Sequence, residues 1–339
     1  MHLASPADGP ALADLIARSP DAGAVAFTSR FAAEPLAALR ALATSLEGAV
    51  ASLDGAPAGL VLGDFSEVQW AGERRPAVYV SNLRVTPELR RRGVARALAR
   101  FGLDLVDERL GPEAVVYSAL MGGNVLSAEL VEQLGFRATG PVQGALVPGR
   151  RTPPRAPGGL SVRLAHASDF PLFAAGANAF YAEHDLWSPL SEASLADFAA
   201  REVAGVRPNQ LYVVERAGEL LAGLSVSDRT QLVRMVVTRA ALPVRLLGRA
   251  LGILPAGGDL RALTIRHVWL RPGALEAARF LWQTLRFEAR TQGRCLGIAY
   301  DPRDALAGVF QLPRWLPTFD ARYLVRAAGP VAVERPTYC

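Results

Sequence analysis

The stretch Arg90-Arg91-Arg92-Gly93-Val94-Ala95 stands between two runs of different periodicity. Before it, Ala77-Val78-Tyr79-Val80-Ser81-Asn82-Leu83-Arg84-Val85 is rich in β-branched and aromatic residues. It stops at Thr86-Pro87, where a proline cannot donate to a ladder, and this pattern predicts a strand. After it, Val94, Leu98, Phe101 and Leu105 recur on one helical face while Arg92, Arg96, Arg100 and Asp104 fall on others, which predicts an amphipathic helix. A glycine turn that closes a strand and opens a helix presents unpaired backbone N–H groups and the positive end of the helix dipole at one point. That point suits a phosphate or pyrophosphate, and the bare Cα of Gly93 lets such a group approach the backbone.

Downstream, an apolar strand is expected over Ala114 to Leu120, then Gly123-Asn124, a short helix from Leu126 to Leu134, and Gly135-Phe136. Arg90-x-x-Gly93-x-Ala95 resembles the Arg/Gln-x-x-Gly-x-Gly/Ala signature of the GCN5-related N-acetyltransferases. Asn124 followed by Leu134-Gly135-Phe136 resembles the ending of the same family, in the same order. The resemblance implies a mixed α/β sheet and acyl transfer from acetyl-CoA to an amine acceptor. It places the backbone of Leu83, Arg84 and Val85 along the pantetheine arm, helping to polarise the acetyl carbonyl. Arg90, Arg91, Arg92, Gly93, Val94, Ala95 and Arg96 are placed around the pyrophosphate. Backbone bonds to a charged phosphate are worth about 1.5 to 3 kcal/mol each, against about 0.3 to 1 kcal/mol for the helix dipole, so the amides dominate. Asn124 has two readings of equal weight, a contact to the cofactor arm and a cap on the following helix.

The proton-handling groups depart from the family pattern. Ser81 stands where many members carry a glutamate, and Val131 where they carry a tyrosine. Glu67, near the end of the neighbouring strand, is the candidate base acting through water, and Tyr79 and Tyr117 are the candidate acids. Each also has a plain surface or packing role. Two functions of different class follow: an N-acetyltransferase acting on a small amine or peptide, and a non-catalytic acyl-CoA-binding or regulatory protein.

With 339 residues, half of them hydrophobic, two domains are expected. Pro148 to Gly159 is dense in proline, glycine and arginine and reads as a linker, dividing the chain into 1–147, 148–159 and 160–339. The first part opens with a strand-like His2-Leu3-Ala4, a cap at Asp8 and a helix to about Arg18. A second helical region over Glu34 to Ser45 follows, then a hairpin turned at Asp54-Gly55 and a polar turn from Ala71 to Arg75.

The part after the linker repeats the part before it. Leu164-Ala165 and Asp169 follow Leu3-Ala4 and Asp8 at a spacing of 161 residues, Ala222-Gly223-Leu224 follows Ala58-Gly59-Leu60 at 164, and Leu270-Arg271-Pro272 follows Val85-Thr86-Pro87 at 185. An extra segment near Ala241 to Asp259 accounts for the last jump. The second copy enters its helix through Gly273-Ala274-Leu275-Glu276, with no Arg-x-x-Gly-x-Ala turn and with a carboxylate where a phosphate would lie. It reads as a degenerate acetyltransferase-like domain placed to cover the substrate cleft. His267 on its central strand reads as a core residue, and Leu242 to Leu254 as an interface or lid helix.

Charge and cysteines limit the partners. The net charge of +5 is carried by 37 basic residues, all arginine, spread along the chain, and a compositional origin explains them better than nucleic-acid binding. No apolar run reaches the roughly 20 residues that span a bilayer, and the N-terminal residues lack a signal-peptide pattern, so a cytoplasmic location and no membrane partner are expected. Cys295 and Cys339 form no metal-ligand spacing, so no metal is expected. A homodimer is left open.

Overall fold

The computed structural model describes residues 1–19, 25–41, 43–254, 257–329, 331 and 333–339. Up to residue 147 the elements are β1 (His2–Leu3), α1 (Gly9–Arg18), β2 (Val25–Phe31), α2 (Pro35–Arg40), β3 (Leu46–Leu53), β4 (Ala56–Trp70), β5 (Glu73–Val85), α3 (Val94–Leu110), β6 (Val115–Met121), α4 (Val125–Glu132) and β7 (Arg137–Val147). They continue with β8 (Leu160–Leu164), α5 (Phe170–Phe180), α6 (Glu192–Ala200), β9 (Asn209–Arg216), β10 (Glu219–Ser227), β11 (Val233–Ala240), α7 (Leu242–Ala250) and β12 (Asp259–Leu260). The last are β13 (Ala262–Leu270), α8 (Leu275–Thr291), β14 (Cys295–Tyr300), α9 (Leu306–Phe310) and β15 (Thr318–Arg326).

Local chemistry explains the early elements. Asp8 closes a 3₁₀ turn before α1 by accepting from the Ser5 N–H at 2.8 Å, so it works as a cap. Asp54 and Gly55 both have positive φ, at 51° and 80°, the geometry of a two-residue hairpin whose twist matches its strands. The turn after β4 is narrower than the sequence suggests. Ala71 and Gly72 alone make it, and Glu73 to Arg75 already belong to β5. The helix expected to reach Ser45 is only Pro35–Arg40, with Glu34 accepting from the Leu36 and Ala37 N–H groups at its start. Position 42 lies outside the described residues, as do 255 and 256 within the expected extra segment.

Among the described residues twelve strands form one sheet in the order β1-β3-β4-β5-β6-β15-β7-β14-β13-β10-β9-β8. Read inward from either edge, the order is the same: a short edge strand, a hairpin, a long bulged strand, a parallel neighbour. The pairs β5–β6 and β13–β14 are parallel and the others antiparallel. The two halves exchange their last strands. β15 pairs with β6, β7 pairs with β14, and β7 and β15 pair with each other at the centre. A smaller sheet of β12, β11 and β2 joins the halves again, with Val233 to Ala240 lying against Phe31 to Val25. β2 was not expected from sequence, and β11 enlarges the anticipated insertion.

The matching extends to a defect in the ladder. In β4–β5 the register slips between Leu60 and Leu62, opposite Asn82, whose φ is 53°. In β10–β13 it slips between Gly223 and Ser225, opposite His267, whose φ is 51°. His267 stands 185 residues after Asn82, the spacing of the two prolines. Such bulges re-aim backbone groups beside them. Residues 148–159 contain no helix or strand and lie along α8, where the Arg150 N–H donates to the Arg286 carbonyl at 2.8 Å.

Candidate active site

Two strands that part company make the site. β5 and β6 are paired only where Ala77 to Tyr79 meet Val115 to Tyr117, yet β5 runs on to Val85 and β6 to Met121. From Val80 onward the facing edge of β5 has no β6 partner, and a cavity of about 360 Å³ occupies the wedge and continues beneath α3. Ser81, Asn82, Leu83 and Arg84 line it from β5, Ser118 to Met121 from β6, and Asn124 and Ser127 from the start of α4. That volume is in the range of sites for small organic ligands.

The turn that follows β5 sits on the surface. Arg90, Arg91, Arg92, Gly93 and Arg96 are exposed, while Val94 and Ala95 are half-buried as the first residues of α3. Arg91 and Gly93 have φ of 61° and 82°, and a Cβ on Gly93 would have nothing within 4 Å, so the backbone there is open to a ligand. The first intrahelical bond is Ala97 N–H to the Gly93 carbonyl at 2.9 Å, and among the described residues no side chain caps the helix. The N–H groups of Val94, Ala95 and Arg96 therefore have no acceptor within the helix, the arrangement that binds oxyanions.

Side-chain contacts brace this end. Arg90 Nε donates to the Val85 carbonyl at 3.4 Å, Arg84 donates to the Ser19 carbonyl, and Arg96 donates to Gln133. Asn124 caps the start of α4, its Oδ1 accepting from the Ser127 N–H at 3.4 Å, and the residue also lines the cavity.

Of the three proton-handling candidates, Tyr79 and Tyr117 are brought together and Glu67 lies apart. Glu67 is exposed, sits opposite Pro76 and does not line the cavity, so the carboxylate chosen by strand adjacency is a surface residue. Tyr117 is packed between Tyr79 and Tyr323, with ring centroids 5.3 and 5.9 Å away, and does not line the cavity either. Tyr79 does line it. Burial pushes the Tyr79 phenol above its ordinary range; Arg266 and the backbone of Ala119 on β6 draw it part of the way back. It remains a protonated hydroxyl at neutral pH. Glu47 is the one carboxylate among the described residues lining the cavity, and it is held by Arg109 at 2.6 Å.

What sequence reasoning missed is Arg266. By the spacing of 185 it matches Ser81, and it lies close enough to act on Tyr79 while hydrogen-bonded to Tyr338. The internal repeat carried the signal for it. Among the described residues no group of His, Cys, Asp or Glu is arranged to hold a metal, and no helix is long and apolar enough to cross a membrane.

These features find parallels among known proteins. Residues 19–136 match the model of the acetyltransferase (GNAT) family. That segment is similar to a domain of the family, and the mixed sheet of the chain is the corresponding acyltransferase fold. A GCN5-related N-acetyltransferase from Anabaena variabilis is 16% identical with a TM-score of 0.52, covering 87% of this chain and 66% of its own. One from Kribbella flavida is 17% identical with a TM-score of 0.56, over 96% of this chain and 70% of its own. Saccharomyces cerevisiae N-myristoyltransferase with bound myristoyl-CoA is 10% identical with a TM-score of 0.65, over 96% of this chain and 84% of its own. At these identities the likeness is one of fold. No curated protein matches the chain.

Proposed function

We propose that the chain is an N-acyltransferase that takes an acetyl group from acetyl-CoA and delivers it to a primary amine of a small molecule or peptide. In this reading residues 1–147 form the working half, 148–159 a connector, and 160–339 a second acetyltransferase-like half that has lost its cofactor site. One observation carries the reading: β5 and β6 part around a cavity, and the strand that lines it leads through the turn 86–93 into the start of α3, where no side chain among the described residues caps the helix. The diphosphate takes the N–H groups of Val94 to Arg96 and the arm lies along the unpaired edge of β5. Holding the thioester there converts an encounter in solution into a step between fixed partners.

The bulge at Asn82 turns backbone groups toward the thioester carbonyl, and fixed dipoles aimed at a developing oxyanion lower the barrier. Tyr79 supplies the proton to the departing thiolate, because burial keeps its hydroxyl protonated. The amine loses its own proton to water. The absence of a carboxylate near Ser81 among the described lining residues favours a second reading, an acyl-CoA-binding protein that does not turn over.

Titration calorimetry with acetyl-CoA, combined with CoA release across a panel of amines, separates the readings. Binding with turnover is expected, together with a loss of about a hundredfold in kcat for Tyr79→Phe. Binding without turnover on any amine selects the second reading.

A further inference from the structure

The cavity does not end where an acetyl group would. It runs beneath α3 toward Leu3 and Glu47, between the helix and the face of β4 and β5 that carries Val61, Phe65, Val78 and Val80. Gly102 leaves this passage open, and Gly63 lines its floor where Val78 packs closely against the strand. Gly102 lies inside α3, where glycine is, proline aside, the poorest helix former, and neither a turn nor a close approach requires it. A Cβ placed on it would find only the Val61 Cγ1, at 3.9 Å. Gly63 is on β4, and a Cβ there would come within 2.9 Å of the Val78 Cγ1. The helix thus carries a residue that costs stability at a point where only Val61 approaches the space it leaves, whereas protein interiors are as a rule closely packed.

We infer that this passage also receives a straight, apolar acyl chain longer than acetyl, with Gly102 as its roof and Gly63 on its floor, so that the donor site of the proposed acyltransferase takes medium-chain acyl-CoA in preference to acetyl-CoA. The inference rests on the acyl-CoA reading of the wedge. The chain enters from the thioester at the level of Ser81 to Leu83, passes under Gly102 and points toward Glu47. The ion pair of Glu47 with Arg109 makes the far end polar, which limits the length of an apolar chain. Each methylene that leaves water is worth up to about fourfold in affinity.

The test uses the full chain and CoA, acetyl-CoA, butyryl-CoA, hexanoyl-CoA and octanoyl-CoA in titration calorimetry. The expected result is a Kd at least tenfold lower for hexanoyl-CoA than for acetyl-CoA. Gly102→Leu fills the passage and should bring the hexanoyl and acetyl values within about threefold of each other. Gly102→Ala, which fits the helix without a clash, is the control for folding and should leave part of the preference. Acetyl-CoA binding with no gain for longer chains overturns the inference and leaves the acyl-CoA reading intact, as does a Gly102→Leu protein that keeps the full gain. Failure of every thioester to bind overturns the reading itself.

Discussion

The two halves of the sheet follow the same strand order from either edge and differ at two places. In each, a bulged strand runs parallel to a neighbour for three residues and then leaves it, β5 from β6 and β13 from β14. In the first half the wedge is a cavity. In the second it is packed: Trp282 on α8 and Tyr300 at the end of β14 both meet Phe310 on α9, at centroid distances of 5.0 and 5.2 Å, within the cluster that holds Val268, Leu270 and Ile298. The approach differs as well. Six residues lie between Pro87 and the first residue of α3, whereas two lie between Pro272 and the first residue of α8. The longer turn has room for the open backbone at Gly93, and the shorter one brings Glu276 into the first turn instead. A strand wedge is therefore a feature of the fold, and side chains decide whether it is a site or a core.

The exchange of β7 and β15 gives the sharpest way to break the comparison, with the largest effect. If each half were a separable unit, residues 1–159 would fold alone. In the structure they would lose β15, whose Leu324 and Val325 are buried and which supplies partners to both β6 and β7. The fragment is expected to show no cooperative unfolding transition by circular dichroism. A fragment that melts as sharply as the whole chain would falsify the exchange as a structural necessity.

Next comes the filled wedge. Trp282 has no exposed surface, and truncation to alanine should cost about 3–5 kcal/mol in chemical denaturation. Its Nε1 has no hydrogen-bond partner among the described residues, so Trp282→Phe forfeits volume but relieves a buried donor and should cost much less. Equal losses for both variants would show that the indole nitrogen carries no penalty.

The turn at Gly93 follows. A glutamate there sets a charged side chain into the open space where a diphosphate is proposed to lie, at a φ of 82° that only glycine adopts freely. Gly93→Glu should weaken acetyl-CoA at least a hundredfold, and the parent protein should titrate with one site per chain. Two sites per chain would mean that the second half still binds.

These contrasts also mark how far the sequence could be read. The turn, the strand before it and the helix after it were legible because each follows from local chemistry: β-branched residues, a proline stop, a glycine with positive φ, a helical period. The short matches read as a repeat, such as Ala58-Gly59-Leu60 and Ala222-Gly223-Leu224, fall beside the paired bulges. The strand exchange was not legible, because β7 and β15 have the same alternating pattern whichever neighbour they pair with, and pairing is decided by the whole sheet. β2 was missed for a similar reason, since its partner β11 lies some two hundred residues away. The wedge was half legible: the resemblance implied a held cofactor arm, but an empty volume is what side chains leave unfilled, and no residue states that directly.

The smallest expected effect concerns Glu67, and it tests the limit of reading neighbours from strand order. Strand adjacency brings Glu67 to the right sheet, but a strand presents alternate residues to opposite faces, and distance along it counts as much as adjacency. Glu67 sits opposite Pro76, before the point where β5 and β6 meet at Ala77, whereas the cavity opens after Tyr79. Its side chain is exposed to water, so a carboxamide there changes neither the wedge nor the charge inside it. Glu67→Gln should leave kcat within about twofold of the parent at every pH, because a group that does not reach the reacting amine cannot share its proton. A hundredfold loss that shrinks as the pH rises, as the free amine takes over its own deprotonation, would return Glu67 to the mechanism and require a closed form in which the end of β4 folds over the wedge.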